Sequence, residues 1–387
     1  MTAAPKRSGP LAGIKVVELA GIGPGPLAAM LLADMGATVI RVDRKEPSGL
    51  GAPRPVQFDI GLRNRKSIRV DLKDPAGRAL VLDLVEKADG LIEGFRPGVA
   101  ERLGLGPAQC LQRNPKLVYG RVTGWGQDGP LAHAAGHDLN YIAVTGVLHA
   151  IGRAGEPPAI PLNVIGDYAG GSAYLAMGML AAFLEARSSG QGQVVDAAIV
   201  DGVASLMSQL IGLRAAGMMS AQRGTNLLDS GAPFYDVYEC ADGKYITVGP
   251  IENKFYLELL QRLELDAAQM PKQMDREHWP ALRNTFAARF KSRPQREWTL
   301  LLEGTDVCYA PVLDLEEAYT HPHIQARQTY VDVAGVMQPA PAPRFSRTPA
   351  SLPQAPAELT TGNAVDALAE WLPDADIQAL RAAGTFI

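Results

Sequence analysis

Cysteine is scarce in this 387-residue chain: Cys110, Cys240 and Cys308 are the only three. They are odd in number and far apart, which excludes a disulfide framework and fits a reducing compartment. No Cys/His cluster has the spacing of a zinc site, so no metal is expected. His321 and His323 flank a proline in "HPH", which reads as a surface loop. A strong charge of one sign is also missing. The net charge is -4, which argues against a nucleic-acid partner. No run of about 18 apolar residues stands out, so no membrane span is expected. The start, "MTAAPKRSGP", has two positive charges and no apolar stretch behind them, unlike a signal peptide. The end, "GTFI", is not an SKL-type address. Cytoplasm is the expected compartment.

What is present is apolar: 47% of residues are hydrophobic, enough for a full core in two domains. From residue 13 to about 200, apolar β-branched runs ("IKVVEL", "ATVIRV", "GLIEGF", "KLVYGRVTG", "QVVDAAI") alternate with helical patterns ("PLAAMLLADMG", "AGRALVLDLVEKAD", "AYLAMGMLAAFLEARSSG"). That alternation predicts an open parallel sheet covered by helices, an α/β fold with a Rossmann-like large domain. The pattern then changes. Residues 201–230 read as one long apolar helix followed by a glycine-containing loop. "YDVYECADGKYITVG" carries a hairpin signal. Helical and strand-like stretches up to about residue 325 complete a smaller α+β domain. The Pro-rich tail from 335 reads as extended, returning the chain to terminal helices in "AVDALAEWL" and "ADIQALRAAG".

The segment "VVELAGIGPGPLAAMLLADMGATVIRVDR" nearly repeats a dinucleotide fingerprint, with Asp43 closing the second strand. Gly21 and Gly23 fill two glycine positions, but Pro26 stands at the third. Pro24 and Pro26 remove N–H donors that a pyrophosphate would need. Pro26 suits the first position of a helix instead. NAD binding is therefore disfavoured.

Three other stretches carry candidate chemistry. In "TGWGQDGPLAHAAGHDLNYIAVTGVLHAIG" a Gly-rich loop ends at Gly136-His137-Asp138, where a helical pattern starts. An imidazole beside a helix N-terminus lies next to N–H groups without intrahelical partners, and the N–H of Asp138 is a candidate oxyanion donor. Alternatively, Asp138 only caps the helix and His137 is solvated. Asp167 precedes Gly170-Gly171 and an apolar helix; it is either an acid/base or nucleophile, or another helix N-cap. Arg44, Arg63, Arg65, Lys66, Lys73, Arg96 and Arg102 fall at loop positions of the first domain. They are either solvated charges or partners for a phosphorylated ligand.

Several of these segments together resemble the family III CoA-transferase superfamily over about residues 10–350. They are the opening segment, "LRNRKSIRVDLKD", "EGFRPGVAERLGLG", "RVTGWGQDGP", "AGHDLNYIAVTG", "GDYAGGSAYLAMGMLAA" and "SGQGQVVDAAIVDG". The histidine in "GHDLNY" and the piece "GPIENKFY" resemble the branch whose members racemise 2-methylacyl-CoA thioesters by two-base proton transfer through an enolate. The resemblance implies His137 as one base, Asp167 as the other and Glu252 as the carboxylate that orients His137. Read from its residues alone, Glu252 is equally an exposed acid at a helix start. The resemblance also implies CoA contacts at Arg44, Val70, Asp71, Leu72, Lys73, Arg96, Arg102, Gly136, Asp138, Leu139, Asn140 and Tyr141. It implies no metal and no organic cofactor, since coenzyme A is part of the substrate.

An interlocked homodimer is implied as well. Its large domain spans residues 1–200 and is completed by 341–387. Linkers run over 201–231 and 326–340, and a small domain occupies 232–325. Met207, Met218 and Met219 either line a pliable acyl surface or pack an ordinary helix. Three rival readings remain: a CoA-transferase using Asp167 as nucleophile, an NAD-dependent dehydrogenase, and a non-catalytic acyl-CoA-binding protein.

Overall fold

The run KVVEL forms a buried strand, β1 (Lys15–Leu19). It leads into a loop and then α1 (Pro24–Asp34), which is capped by Gly23 at φ 71°. The helix starts at Pro24, two residues ahead of the proline assigned that place from sequence; a first-turn proline lacks only an N–H that has no intrahelical acceptor anyway. Across the computed structural model, residues 8–46, 49 and 51–387 are described, so most of the N-terminal stretch read above for a signal lies outside the described residues.

The chain continues through β2 (Thr38–Asp43), β3 (Lys66–Arg69), α2 (Pro75–Glu86), β4 (Gly90–Glu93), α3 (Val99–Arg102), α4 (Pro107–Arg113), β5 (Val118–Thr123), α5 (Asp138–Val144) and α6 (Val147–Ala150). A ten-residue π-helix, Val164–Ala173, runs directly into α7 (Tyr174–Ser189). Then come β6 (Val194–Ala198), α8 (Ile199–Leu206) and α9 (Ser208–Ala215). The six strands form one parallel sheet in the order β3-β2-β1-β4-β5-β6. This is the doubly wound order, with its switch point between β1 and β4. Apolar clusters cover both faces. Val17, Ile40, Leu91 and Tyr119 face α2 and the C-terminal helices; Val16, Val39, Ile92 and Val118 face α1 and α7. Each fully buried aliphatic side chain contributes about 1.5–3 kcal/mol. Gly90 and Gly120 let α7 lie close on the sheet, because a Cβ there would come within 2.9 Å of Met179.

Three sequence expectations change here. The "KSIR" run is the edge strand β3, not loop. The single long helix expected ahead of the glycine-containing loop in 201–230 is two helices, α8 and α9, broken at Met207. The continuous helical stretch Val164–Ser189 is long and apolar enough to cross a membrane by length and composition. One of its faces is committed to the core: Leu175, Met179 and Phe183 are buried against the sheet.

The chain divides into two compact units: residues 1–145, 162–206 and 328–387 in the first, 146–161 and 207–327 in the second. The second unit holds the expected hairpin, β7 (Asp236–Glu239) with β8 (Tyr245–Val248), and then α10 (Asn253–Arg262), α11 (Trp279–Phe290), α12 (Gln295–Leu302) and β9 (Tyr309–Val312). Its sheet is antiparallel, in the order β7-β8-β9. Its core is aromatic: Tyr238 stacks on Phe290 at 5.1 Å, and Phe290 meets Trp298 edge-on at 5.2 Å. Arg153 pairs with Asp236 at 3.0 Å and Arg223 donates to the His149 carbonyl at 2.9 Å, which fastens the 146–161 segment to this unit. α13 (Leu315–Thr320) and α14 (Pro322–Ala326) close it. His321, in the one-residue break between these two helices, bonds Glu303 at 2.9 Å, whereas Pro322 and the exposed His323 open α14, so only the start of "HPH" is loop.

The stretch read as a return linker, 326–340, contains the antiparallel pair β10 (Tyr330–Val333) and β11 (Val336–Pro339) of the first unit. α15 (Thr361–Leu368) and α16 (Asp374–Ala382) then pack into the core against the sheet. Phe386 bridges to Val70.

Candidate functional site

In an open parallel sheet, ligands bind outside the carboxyl ends of the strands at the switch point. The loops at that edge carry most of the residues singled out from sequence. Arg44 follows β2, Val70 to Lys73 follow β3, Arg96 follows β4, and the Gly-rich loop ending at His137 follows β5. Arg44, Asp71, Lys73, Arg96 and Arg102 are exposed; Arg102 lies in the last turn of α3. Val70 is fully buried and Leu72 packs on the core, so any ligand contact at these two positions uses the backbone.

Three basic residues are paired within the protein. Arg63 is buried and forks onto Asp34 at 3.1 and 2.5 Å. The buried Arg65 guanidinium pairs with Glu18, which also holds Arg41 at 2.6 Å. Lys66 pairs with Glu370 at 2.6 Å. Sequence reasoning took these residues for a surface patch. A buried arginine beside an acid distant in sequence leaves no local signature.

His137 is the exposed N-cap of α5. Its N–H donates to Asn140 Oδ1 at 3.0 Å, while the Asn140 N–H donates to the His137 carbonyl at 2.8 Å. Asp138 is the first helical residue, so its N–H has no intrahelical acceptor. Its side chain does not cap its own helix. It is only 6% exposed, and Oδ1 accepts the backbone N–H of Asp167 at 2.6 Å. Leu139 and Asn140 are exposed, whereas Tyr141 is buried. The Tyr141 hydroxyl donates to the Gly136 carbonyl, and its ring meets Trp125 edge-on at 4.8 Å. A side chain at Gly136 would press on that ring at 2.8 Å.

Asp167 is not an N-cap. It lies in the first turn of the π-helix, a rare, wide-turned geometry that is frequent at functional sites. Burial pushes its carboxyl above the ordinary carboxylate value. Asn163, donating to Oδ2 at 3.4 Å, pulls it down; the nearby Asp138 charge raises it and His137 lowers it. The loop after β1 meets this carboxylate: a Cβ on Gly23 would lie 3.3 Å from Asp167 Oδ2. Ser172 fastens that loop to the π-helix, donating to the carbonyls of Pro24 at 2.8 Å and Asp167 at 3.0 Å. His137 and Asp167 are thus brought together within the first unit, beside the loop first weighed for a dinucleotide.

The family model for CoA-transferase family III matches residues 11–362. The chain belongs to CoA-transferase family III. It is 42% identical over 363 residues to a mouse protein named alpha-methylacyl-CoA racemase, covering 93% of each chain. It is 43% identical over 343 residues to a human protein of the same name, covering 88% of this chain and 87% of that one. Among solved structures, a CaiB/BaiF family protein from Brucella suis superposes with a TM-score of 0.81 at 26% identity, covering 95% of this chain and 100% of the other.

The remaining candidates of this family III member lie in the second unit. Glu252 is the exposed N-cap of α10. Cys308 is near enough for the Glu252 charge to add to the effect of burial in raising its thiol. Met207 and Met219 are half-buried and Met218 is exposed. Among the described residues, no three His, Cys, Asp or Glu side chains gather as metal ligands. Two features were missed from sequence, the Asp138–Asp167 link and the π-helix. The first joins residues 29 apart. The second had only the small residues Gly166, Gly170 and Gly171 as a signal.

Proposed function

We propose that this protein is an isomerase that inverts the α-carbon of 2-methylacyl-CoA thioesters by two-base proton transfer. The observation that carries the reading is the pairing of unlike proton carriers: an exposed imidazole at a helix start, near a carboxyl whose proton affinity burial has raised. Racemases as relatives at 42% and 43% identity support it.

In this reading one carrier takes the α-proton and the other returns a proton to the opposite face. Each hand of substrate requires one carrier deprotonated and the other protonated. A carboxyl of raised proton affinity can hold its proton nearer to neutrality than an ordinary aspartate, which suits it to the donor role. Each carrier typically contributes about 10²–10⁴-fold. The enolate oxygen between them accepts from the N–H of Asp138, a preorganised donor of a kind worth about 2.7–4 kcal/mol. The CoA moiety takes the exposed cations Arg44, Lys73, Arg96 and Arg102, whose positive charge suits its phosphates. The chemistry asks for no metal or organic cofactor.

The working form is a homodimer. Met177 and Leu184, seven residues apart on α7, are 57% and 68% exposed, an apolar stripe that a partner subunit would cover.

The test is chiral analysis of one hand of a 2-methylacyl-CoA incubated with the protein and no added carboxylic acid. Both hands appearing supports the reading, and His137→Ala should cut the rate by about 10²–10⁴-fold. The family's other chemistry gives the second reading. Asp167, next to the β1 loop, would attack the thioester carbonyl, expel CoA thiolate and form an acyl anhydride. That reaction turns over only with an acceptor acid and leaves the α-carbon untouched.

A further inference from the structure

We propose that the Asp138 side chain is a positioning residue of this site, tying the Asp167 backbone to the helix start that carries His137 and setting a second negative charge beside Asp167. The proposal deepens the two-base reading and rests on it.

The geometry is specific. A π-helix bonds each N–H to the carbonyl five residues back, so its first turns leave N–H groups without partners. Asp167 is the fourth residue of Val164–Ala173, so its N–H is one of these. Asp138 Oδ1 takes that N–H at 2.6 Å, from a different helix. Asp138 is joined covalently to His137. One side chain and one hydrogen bond therefore connect the backbones of the two proton carriers. Gly166 is required for this: a Cβ there would overlap Asp138 Oδ1.

The second oxygen, Oδ2, is buried with no hydrogen-bond partner. A buried acceptor left open is costly, so Asp138 holds its place through Oδ1, which accepts the Asp167 N–H. Asp138 and His137 act on the Asp167 carboxyl from α5 and its cap, and Asn163 acts from the start of the π-helix. Tyr141, also on α5, feels the Asp167 charge in turn, together with Arg96. Of these, Asp138 is the group that both bonds the Asp167 backbone and repels its negative charge.

The experiment compares Asp138→Asn and Asp138→Ala with the wild-type full chain. The first readout is a pH titration of the Asp167 carboxyl by ¹³C NMR on aspartate-labelled protein, assigned with Asp167→Asn. The second is kcat and KM for 2-methylacyl-CoA racemisation. Asp138→Asn keeps an oxygen for the Asp167 N–H and removes the charge, so the Asp167 midpoint should fall. Asp138→Ala removes both, so kcat should drop tenfold or more while KM stays within about threefold, as for a lost transition-state interaction. A purely structural Asp138 would lower the melting temperature and leave the midpoint in place.

An unmoved midpoint in folded Asp138→Asn overturns the proposal, whether or not the alanine variant folds. So does a folded Asp138→Ala with unchanged kcat. If wild type does not racemise but the midpoint still falls, the charge effect of Asp138 on Asp167 stands and the catalytic reading fails. If wild type racemises and the midpoint does not move, the reverse holds.

Discussion

Asp167 is under two opposing demands. A proton carrier must sit where water is partly excluded, yet burial makes its charged form costly. The raised proton affinity of Asp167 records that cost. The sign follows by linkage. Its contribution to stability is fully present below the unfolded aspartate value, about 3.9, and is lost as pH rises through the higher folded value. Asp167→Asn removes the titration. By calorimetry the variant should melt above wild type at pH 7.5, with the gain shrinking toward pH 3.5, and racemisation should fall at least about 10²-fold. Melting below wild type at pH 7.5 would contradict this assignment. His137 was legible at this scale because a Gly-rich loop running into a helical pattern marks a cap. Asp167 was legible as a candidate acid or nucleophile, but its burial and its tie to Asp138, 29 residues away, were not.

Among the elements, the π-helix places the carboxyl and its packing leaves no slack. Gly166 faces Asp138, Gly171 faces Pro24, and Gly170 lies against Val203 of α8. Gly166→Ala should therefore push the Asp138 carboxylate off the Asp167 N–H and lower kcat tenfold or more, with little change in the far-ultraviolet circular dichroism spectrum. Near-wild-type kcat would mean that the link does not matter to turnover. Strands with continuous apolar runs were readable because both faces of a parallel sheet are covered. β3 was not. It is an edge strand whose one fully buried side chain, Ile68, stands in a sequence otherwise polar and charged, from Arg65 to Arg69. The break at Met207 was equally hidden, because the apolar pattern continues through it.

For the whole molecule, the doubly wound order gathers loops scattered over more than a hundred residues at one sheet edge. The alternating pattern predicted that architecture. The buried charges beneath it were unreadable: Glu18 holds both Arg41 and Arg65 inside the first unit. Glu18→Ala would leave two buried guanidinium groups without that carboxylate and should cost about 3–5 kcal/mol in urea unfolding. A loss below about 1 kcal/mol would mean that water or another acid replaces it.

The central claim, that two carriers exchange the α-proton of a thioester, is tested most directly with solvent isotope. One hand of a 2-methylacyl-CoA is incubated with the protein in D₂O, and the C2 hydrogen is followed by NMR alongside chiral analysis. The account predicts deuterium at C2 in both hands. Unexchanged hydrogen at C2, with CoA moving to an added carboxylic acid, would contradict it and leave Asp167 as a nucleophile.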